Sequence, residues 1–397
     1  MYIKHLSLST FRNYKSAEVS FEKGINLLVG KNGQGKTNLV EAIRYLSTLK
    51  SHRVAGYLPL IKQDSSSALI RAMAVVEDRE ALLEVEINRD STNRARVNKN
   101  DLSKQRDILG YVSSVIFAPE DLDIVKRDPS NRRDFIDDLV VQVWPRFAGV
   151  FADYERVLKQ RNSLLKSARA TKTTGSALAT LDAWDASLIK YGAEIIEARL
   201  LLVERLAPHL EVAYKSIASS NNEPSIDVKS SILGGKVVEF FDDEDSAEAL
   251  ESAQGLTRAE LEDKFHVKLI ELRPKELERG LTLIGPQRDD LLFKLGQLPV
   301  KGYASHGESW SFALALRLAS IELLRNETKT GDPILILDDV FAELDSERRI
   351  RLAEMVRNNE QVFITAAVKE DVPLALAARS YGVHSGEITQ PTSGQGG

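Results

Sequence analysis

Eight consecutive residues, Gly30-Lys31-Asn32-Gly33-Gln34-Gly35-Lys36-Thr37, carry the pattern Gly-x-x-x-x-Gly-Lys-Thr. Such a run is built to hold a polyphosphate. Its glycines let the backbone bend until the N–H groups converge on phosphate oxygens, Lys36 adds a point charge, and Thr37 offers a hydroxyl to Mg2+. The pattern requires a strand before it and a helix after it. Ile25–Val29 is a buried apolar run, and Leu39, Val40, Ile43, Leu46 and Leu49 recur at helical spacing. A helix starting at Lys36 aims its positive end at the same anion. A chance glycine turn would lack this context. The loop's usual partner is a buried strand ending in carboxylates, which Pro333-Ile334-Leu335-Ile336-Leu337-Asp338-Asp339 supplies. It brings two acids to the C-terminal edge of a sheet, where α/β ligands bind. Asp338 is expected to hold Mg2+, directly or through water, and Asp339 to orient or deprotonate the attacking water. Taken alone, the same run could be a strand whose acids merely cap the next turn.

The elements that must position these groups are read from periodicity. Ile3, Leu6, Leu8, Val19 and Phe21 indicate two short strands ahead of Ile25–Val29, and 68–76, 81–87 and 112–117 are further strand candidates. From Asp128-Pro129 the spacing becomes helical through Phe135, Ile136, Leu139, Val140 and Val143. A Thr/Gly/Ser break at 171–176 divides one helix from a long one through Leu181, Leu188, Ile195, Leu202 and Leu206, which predicts an antiparallel pair. Seven acidic residues and no basic one lie in 239–251, as in a solvated loop. After Gly280 strands are expected at 281–284, 291–295, 334–337 and 361–365, with helices at about 307–326 and after Asp345. The division that follows is an ATPase half at 1–127, a helical lobe at 128–280, a second ATPase half at 281–388 and a disordered tail at 389–397.

Composition limits the classes. The 397 residues include no cysteine, which removes disulfide frameworks, thiolate metal sites and cysteine nucleophiles and points to a reducing cytoplasm. The start alternates apolar and polar residues, unlike a signal peptide. No charge-free apolar run approaches the roughly 18 residues of a membrane span. With 53 basic and 58 acidic residues the net charge is −5, so a nucleic-acid surface must be a local patch.

Further residues carry a resemblance. Tyr303-Ala304-Ser305-His306-Gly307-Glu308-Ser309, about thirty residues before Asp338, resembles the signature turn of ABC-type ATPases, and Ala342-Glu343-Leu344-Asp345 resembles their D-loop. In those proteins the signature acts across a dimer. The likeness implies that Ser305, Gly307 and Glu308 face a γ-phosphate held by a second subunit, with Glu343 and Asp345 beside them. Ser305 lies 269 positions after Lys36, hundreds too few for an SMC arm and more than a transporter ATPase needs. Together with Thr10-Phe11-Arg12-Asn13-Tyr14, Phe117-Ala118-Pro119-Glu120-Asp121-Leu122 and Gly285-Pro286-Gln287-Arg288-Asp289-Asp290-Leu291, these motifs make the chain similar to the RecF family of bacterial recombination mediators from Met1 to about Ser385. That resemblance implies an α/β ABC-type ATPase head with flanking strands and a compact helical lobe, without a long coiled-coil arm. It implies ATP and Mg2+ as cofactors, Arg12 and Asn13 among the nucleotide contacts, and a head-to-tail homodimer formed on ATP with weak, DNA-stimulated hydrolysis. It further implies gapped, single-stranded or duplex DNA and the RecO and RecR proteins as partners, in loading recombinase at gaps, fork maintenance and the SOS response. Three departures stand out. His306 and Glu308 occupy positions where the family commonly carries glutamines, Ala366-Ala367 replaces a switch histidine, and Glu120 stands in for a missing Q-loop glutamine.

Two basic stretches could meet DNA. In 89–106, Arg94, Arg96 and Lys99 belong to a set of six basic residues against two acidic ones. In 153–172 the same excess includes Arg156, Lys159, Arg161 and Lys166, of which Arg156, Lys159 and Lys166 share a helical face. Such strips are also common on merely solvated helices. Scarce aromatics favour backbone contacts over base stacking. The competing reading is an ABC-type switch acting on protein partners without DNA. No Asn-Lys-x-Asp segment supports a GTPase, and an apolar helical-lobe scaffold with a dead nucleotide site is the remaining alternative.

Overall fold

The computed structural model describes residues 1–171, 179–218, 222–233, 255–373, 376 and 379–389. The Thr/Gly/Ser break after Thr171, the acidic run 239–251 and the tail beyond Thr389 lie outside the described residues.

Two six-stranded sheets enclose the helix that follows the phosphate loop. One is antiparallel, in the order Tyr14–Ser20, Tyr2–Phe11, Ser67–Val76, Arg79–Asn88, Arg94–Val97, Asn100–Asp101. The other runs Ser114–Phe117, Ile334–Asp338, Gln361–Ala366, Gly24–Val29 and Arg379–His384 in parallel, with Glu387–Thr389 antiparallel at its edge. A parallel sheet is covered on both faces, so its strands need apolar residues throughout rather than in alternation. Ile334–Leu337 meets that need. Ile334 and Ile336 pack with Leu39, Val40, Ile43 and the inner face of the antiparallel sheet, whereas Leu335 and Leu337 enter the opposite core among the helices. Register then sets Asp338 beside Thr365 at the sheet's C-terminal edge, one strand away from the end of Gly24–Val29.

The second layer is helical. Pro129–Val143, the long helix Ala179–Ile217 and His306–Glu327 share the core beneath the parallel sheet. Phe147–Thr171, Ala179–Ile217 and Arg258–Arg279 form a separate apolar cluster around Tyr154, Leu188, Ile196 and Phe265. The expected antiparallel pair is therefore a three-helix lobe. Its third member starts at a reciprocal capping box between Thr257 and Glu260 and ends at Gly280, whose φ of 71° suits glycine. Among the described residues no helix is long and apolar enough to cross a membrane.

Three expectations need correction. Residues 281–284 form no strand; their backbone joins side chains instead, Thr282 N donating to Asn162 Oδ1 and Leu283 N to Glu276 Oε1. The strand Pro224–Lys229, absent from the sequence reading, pairs antiparallel with Asp290–Leu295. That pairing crosses the boundary drawn at 280 and joins the lobe's chain to the second ATPase half. Strands Arg379–His384 and Glu387–Thr389 were likewise not anticipated, yet they brace the phosphate loop.

Candidate active site

The phosphate loop is held from three sides. Gly30 lies so close to the strand Arg379–His384 that a Cβ there would stand 2.2 Å from Val383 O, which leaves room only for glycine. Gly35 has φ 119°, and an added Cβ would meet Tyr14 Oη at 2.8 Å and Asn13 Nδ2 at 2.9 Å. Tyr14 Oη donates to Gly35 O (3.0 Å), Asn13 Nδ2 donates to Gln34 O (3.1 Å), and Ser385 N donates to Gln34 Oε1 (2.6 Å). Lys36 is buried and its Nζ donates to Gly30 O at 2.7 Å. Lys31, Asn32 and Gly33 stay exposed at the rim.

Two acids lie close to Lys36 and Thr37. Asp338 Oδ1 accepts from Thr37 Oγ1 (3.0 Å) and from Thr365 Oγ1 (2.7 Å). Burial works against ionisation of Asp338, but the nearby His52 and the hydroxyl donors of Thr365 and Thr37 outweigh it and hold the carboxyl below its ordinary value. Asp339 differs. It follows the strand in a left-handed conformation, φ 52°, with its N–H donating to Thr365 Oγ1 at 2.9 Å. Desolvation raises its pKa against the pull of the nearby Lys36 charge. The two neighbouring acids are thus separated in acidity, one held anionic for a cation and one closer to proton-transfer range. Thr37 and Asp338 present a hydroxyl and a carboxylate, hard oxygen donors that suit Mg2+ with water and phosphate completing its shell.

Arg12 and Asn13 reach the site differently. Asn13 touches the loop and also accepts from Asn38 Nδ2 at 2.8 Å. Arg12 places a bidentate pair on the buried Glu41 (2.6 and 2.7 Å) and donates to Pro59 O at 3.1 Å, so its guanidinium braces the helix behind the loop. Beside them opens a groove of about 610 Å3 lined by Arg12, Asn13, Asn38, Arg53 and Arg89 among others. Periodicity carries no signal for this convergence, since Arg53 and Arg89 lie in irregular segments.

The signature turn stands elsewhere. Ser305 caps the 22-residue helix His306–Glu327, its Oγ accepting from Glu308 N (3.2 Å) while Glu308 Oε2 accepts from Ser305 N (2.9 Å). Glu308 is thus engaged within its own chain. Its carboxylate closes the capping box and takes a further bond from Asn222 Nδ2 at 3.2 Å, and the Ser305 N–H holds it below its usual pKa, so an anion, not an amide, sits at this position. Arg348 links the turn to the D-loop segment, donating to Gly307 O (3.4 Å) and pairing with Asp345 Oδ2 (3.0 Å). Asp345 caps Ser346–Val356, and Glu343 ends the short helix Val340–Glu343. Among the described residues the turn's partners are Lys126, Asn222 and Arg348; the loop's are Asn13, Tyr14, Asp338, Ala366, Ser385 and Gly386. These sets do not overlap. Glu120 is exposed next to Asp121, which pairs with Arg317 of the signature helix at 2.6 Å.

The basic candidates divide. Arg156, Lys159 and Lys166 are exposed on one face of Phe147–Thr171, Arg156 pairing with Asp153 at 3.0 Å. Arg161 is on the opposite face, among Tyr154, Val157, Leu165 and Ala168, and is wholly buried. It donates to Asp185 (2.6 Å), Glu276 (2.6 Å) and Thr282 (2.8 Å), which removes it from any DNA surface. Burial opposes its charge, but Glu276 and Asp185 more than restore it. Arg161→Ala would leave the buried Glu276 without its cation and Asp185 with Arg273 alone, at a cost of about 3–5 kcal/mol. Urea unfolding is expected to show a lower midpoint with ATP binding retained; an unchanged midpoint would refute the network's role. Arg94 and Arg96 face Glu86 and Glu84 across the sheet, and Arg96 also pairs with Asp101 at 2.6 Å, so that patch is partly neutralised. Lys99 is exposed in the turn that follows.

Comparison with known proteins gives a consistent picture. The RecF/RecN/SMC N terminal domain model matches residues 2–389. The DNA replication and repair protein RecF of Leifsonia xyli subsp. xyli is 54% identical over 99% of this chain and 100% of that protein. Its namesake from Streptomyces avermitilis is 49% identical over 98% and 99%. Among solved structures, the recombination mediator protein RecF-ATPrS in the RecFOR pathway superposes with a TM-score of 0.86 at 29% identity, covering 98% of both chains. RecF-ATP of the same pathway gives 0.84 at 30% identity, covering 98% of this chain and 97% of that one. An SMC head bound to the ScpA C-terminal winged-helix domain gives 0.51 at 17% identity, covering 98% and 96%, a likeness of fold.

Proposed function

This chain belongs to the RecF/RecN/SMC N-terminal domain family and, within it, to the RecF proteins; on that premise we propose that it is an ATP-dependent DNA-binding protein of recombinational repair and replication. The observation that carries this reading is the convergence of Lys36, Thr37, Asp338 and Asp339, with the signature turn held by a separate set of partners. A site whose phosphate cradle and signature do not meet within one chain is completed by a second copy. ATP bound at one cradle would then meet Ser305 and Gly307 of the partner chain, closing a head-to-tail dimer. The γ-phosphate stabilises only the closed state, so closure is coupled to binding and lost with hydrolysis. When bound, Mg2+ would offset charge on the transferred phosphoryl group. The protein's own part is to position: Thr37 and Asp338 hold the cation side, Lys36 pairs with the phosphate, and Asp339 orients the attacking water. Ala366-Ala367, in place of a switch histidine, supports slow turnover.

DNA contact is assigned to the exposed strip Arg156, Lys159 and Lys166, presented twice in a dimer. The names of the relatives support a place beside RecO and RecR, and the cysteine-free sequence supports a cytoplasmic setting. Fluorescence anisotropy with gapped duplex tests this. Binding should require ATP and weaken steeply with salt, and a Lys159→Ala/Lys166→Ala double variant should flatten the log–log salt slope by about two units. A slope identical to wild type would move DNA to another surface. No retention of ATP-loaded protein at low salt would favour a switch acting on proteins alone.

A further inference from the structure

Asp338 is central to the proposed hydrolysis, and its two oxygens are unequally served. Oδ1 takes two hydroxyl donors, Thr37 at 3.0 Å and Thr365 at 2.7 Å. Oδ2 faces His52, whose Nε2 stands 3.8 Å away, within ion-pair reach but beyond a hydrogen bond. Both ring nitrogens of His52 are buried, and neither has a hydrogen-bond partner. Leaving buried polar atoms unserved is costly, so such atoms call for a reason.

The local chain fixes the ring where it is. His52 follows the helix Lys36–Thr48 closely, between two anchored neighbours. Ser51 Oγ bonds to Glu41 and accepts from Arg53 N (3.0 Å) and Val54 N (3.2 Å), while Arg53 donates to Asn38 Oδ1 at 2.9 Å. After Thr365, the residue paired with Asp338, Ala366 and Ala367 bring no polar side chain.

We infer that His52 is a positioning residue for ATP hydrolysis, its Nε2–H donating to Asp338 Oδ2 directly after a closure of about 1 Å or through one bridging water. With Oδ1 held by two threonines and Oδ2 by an imidazole, the carboxylate loses its rotational freedom. A neutral ring suffices, Nδ1 then being the acceptor nitrogen. Partners of this kind, one step removed from a cation site, typically change affinity or activity about 10–100-fold when removed. The inference rests on the reading of Asp338 as a hydrolytic-site acid.

Its test compares His52→Leu, which removes the donor, with His52→Gln, whose amide reaches the Nε2 position, and His52→Asn, whose amide falls short. Four quantities are read: kcat, KM for ATP, nucleotide affinity without Mg2+, and the Mg2+ concentration that half-saturates nucleotide binding. His52→Leu is expected to lower kcat and raise the Mg2+ requirement, each by about tenfold or more, with KM and metal-free affinity unchanged. His52→Gln should recover most of both, and His52→Asn should not. Wild-type kcat and Mg2+ dependence in His52→Leu would overturn the inference. So would an equal loss of metal-free affinity, which would indicate packing, or a glutamine no better than leucine. Should His52→Leu fail to fold, the contrast between glutamine and asparagine decides alone. A wild-type protein that binds ATP without turning it over would remove the hydrolysis reading itself, while the Mg2+ dependence of binding would still report on His52.

Discussion

Lys36→Ala loses tight ATP binding. The ammonium is buried against the loop, donating to Gly30 O at 2.7 Å and approaching Lys31 O and Asn32 Oδ1 at 3.4 Å. A phosphate oxygen would displace these carbonyls and gain a charge-assisted bond in a partly dry site. Bonds to charged groups contribute about 1.5–3 kcal/mol each, so losing one or two should weaken ATP by about 100-fold or more. Removing the lysine leaves the loop's other braces in place, because Asn13, Tyr14 and Ser385 do not depend on it. Equilibrium titration should therefore show the loss with the melting temperature little changed. Retained micromolar affinity would refute the assignment of the loop.

Ser305→Arg separates nucleotide binding from dimerisation. Ser305 is remote from its own chain's phosphate loop in every contact it makes, so ATP should bind with wild-type affinity. The arginine removes the cap that Ser305 Oγ gives Glu308 N, a local cost of about 1 kcal/mol, and adds bulk and positive charge where the helix already presents its positive end. A partner's nucleotide could no longer seat there. Ser305→Ala, which removes the cap without the bulk, is the control. Sedimentation velocity with ATP should find Ser305→Arg monomeric and Ser305→Ala at least partly dimeric. A normal ATP-dependent dimer of Ser305→Arg would contradict the sandwich.

The legible parts of the molecule are those whose signal is local. The phosphate loop is contiguous, and Ile334–Leu337 announces burial on both faces by being apolar throughout. The helix His306–Glu327 begins at a Ser/Glu capping pair that is visible in the sequence. What stayed hidden depends on distant partners. Pro224–Lys229 is a strand because Asp290–Leu295 lies beside it, and Arg379–His384 because Gly24–Val29 does. His52 faces Asp338 from 338 − 52 = 286 positions away in the chain. Arg161 is the instructive miss. Counting basic residues placed it on a charged strip, yet it lies four residues after Val157 and four before Leu165, in register with the buried face. The helical period could have flagged it. Glu308 shows the opposite: its capping role is readable from Ser305 three residues earlier.

Completion of each nucleotide site by a second chain is the central claim, and mixing two defective variants tests it most directly. Lys36→Ala has an intact signature and no cradle; Ser305→Arg has an intact cradle and no signature. Neither alone should form ATP-dependent dimers or hydrolyse ATP. Combined, they can assemble one whole site from the cradle of one chain and the signature of the other. Dimers and turnover that appear only in the mixture are the predicted result. A mixture no more active than the sum of its parts would contradict it.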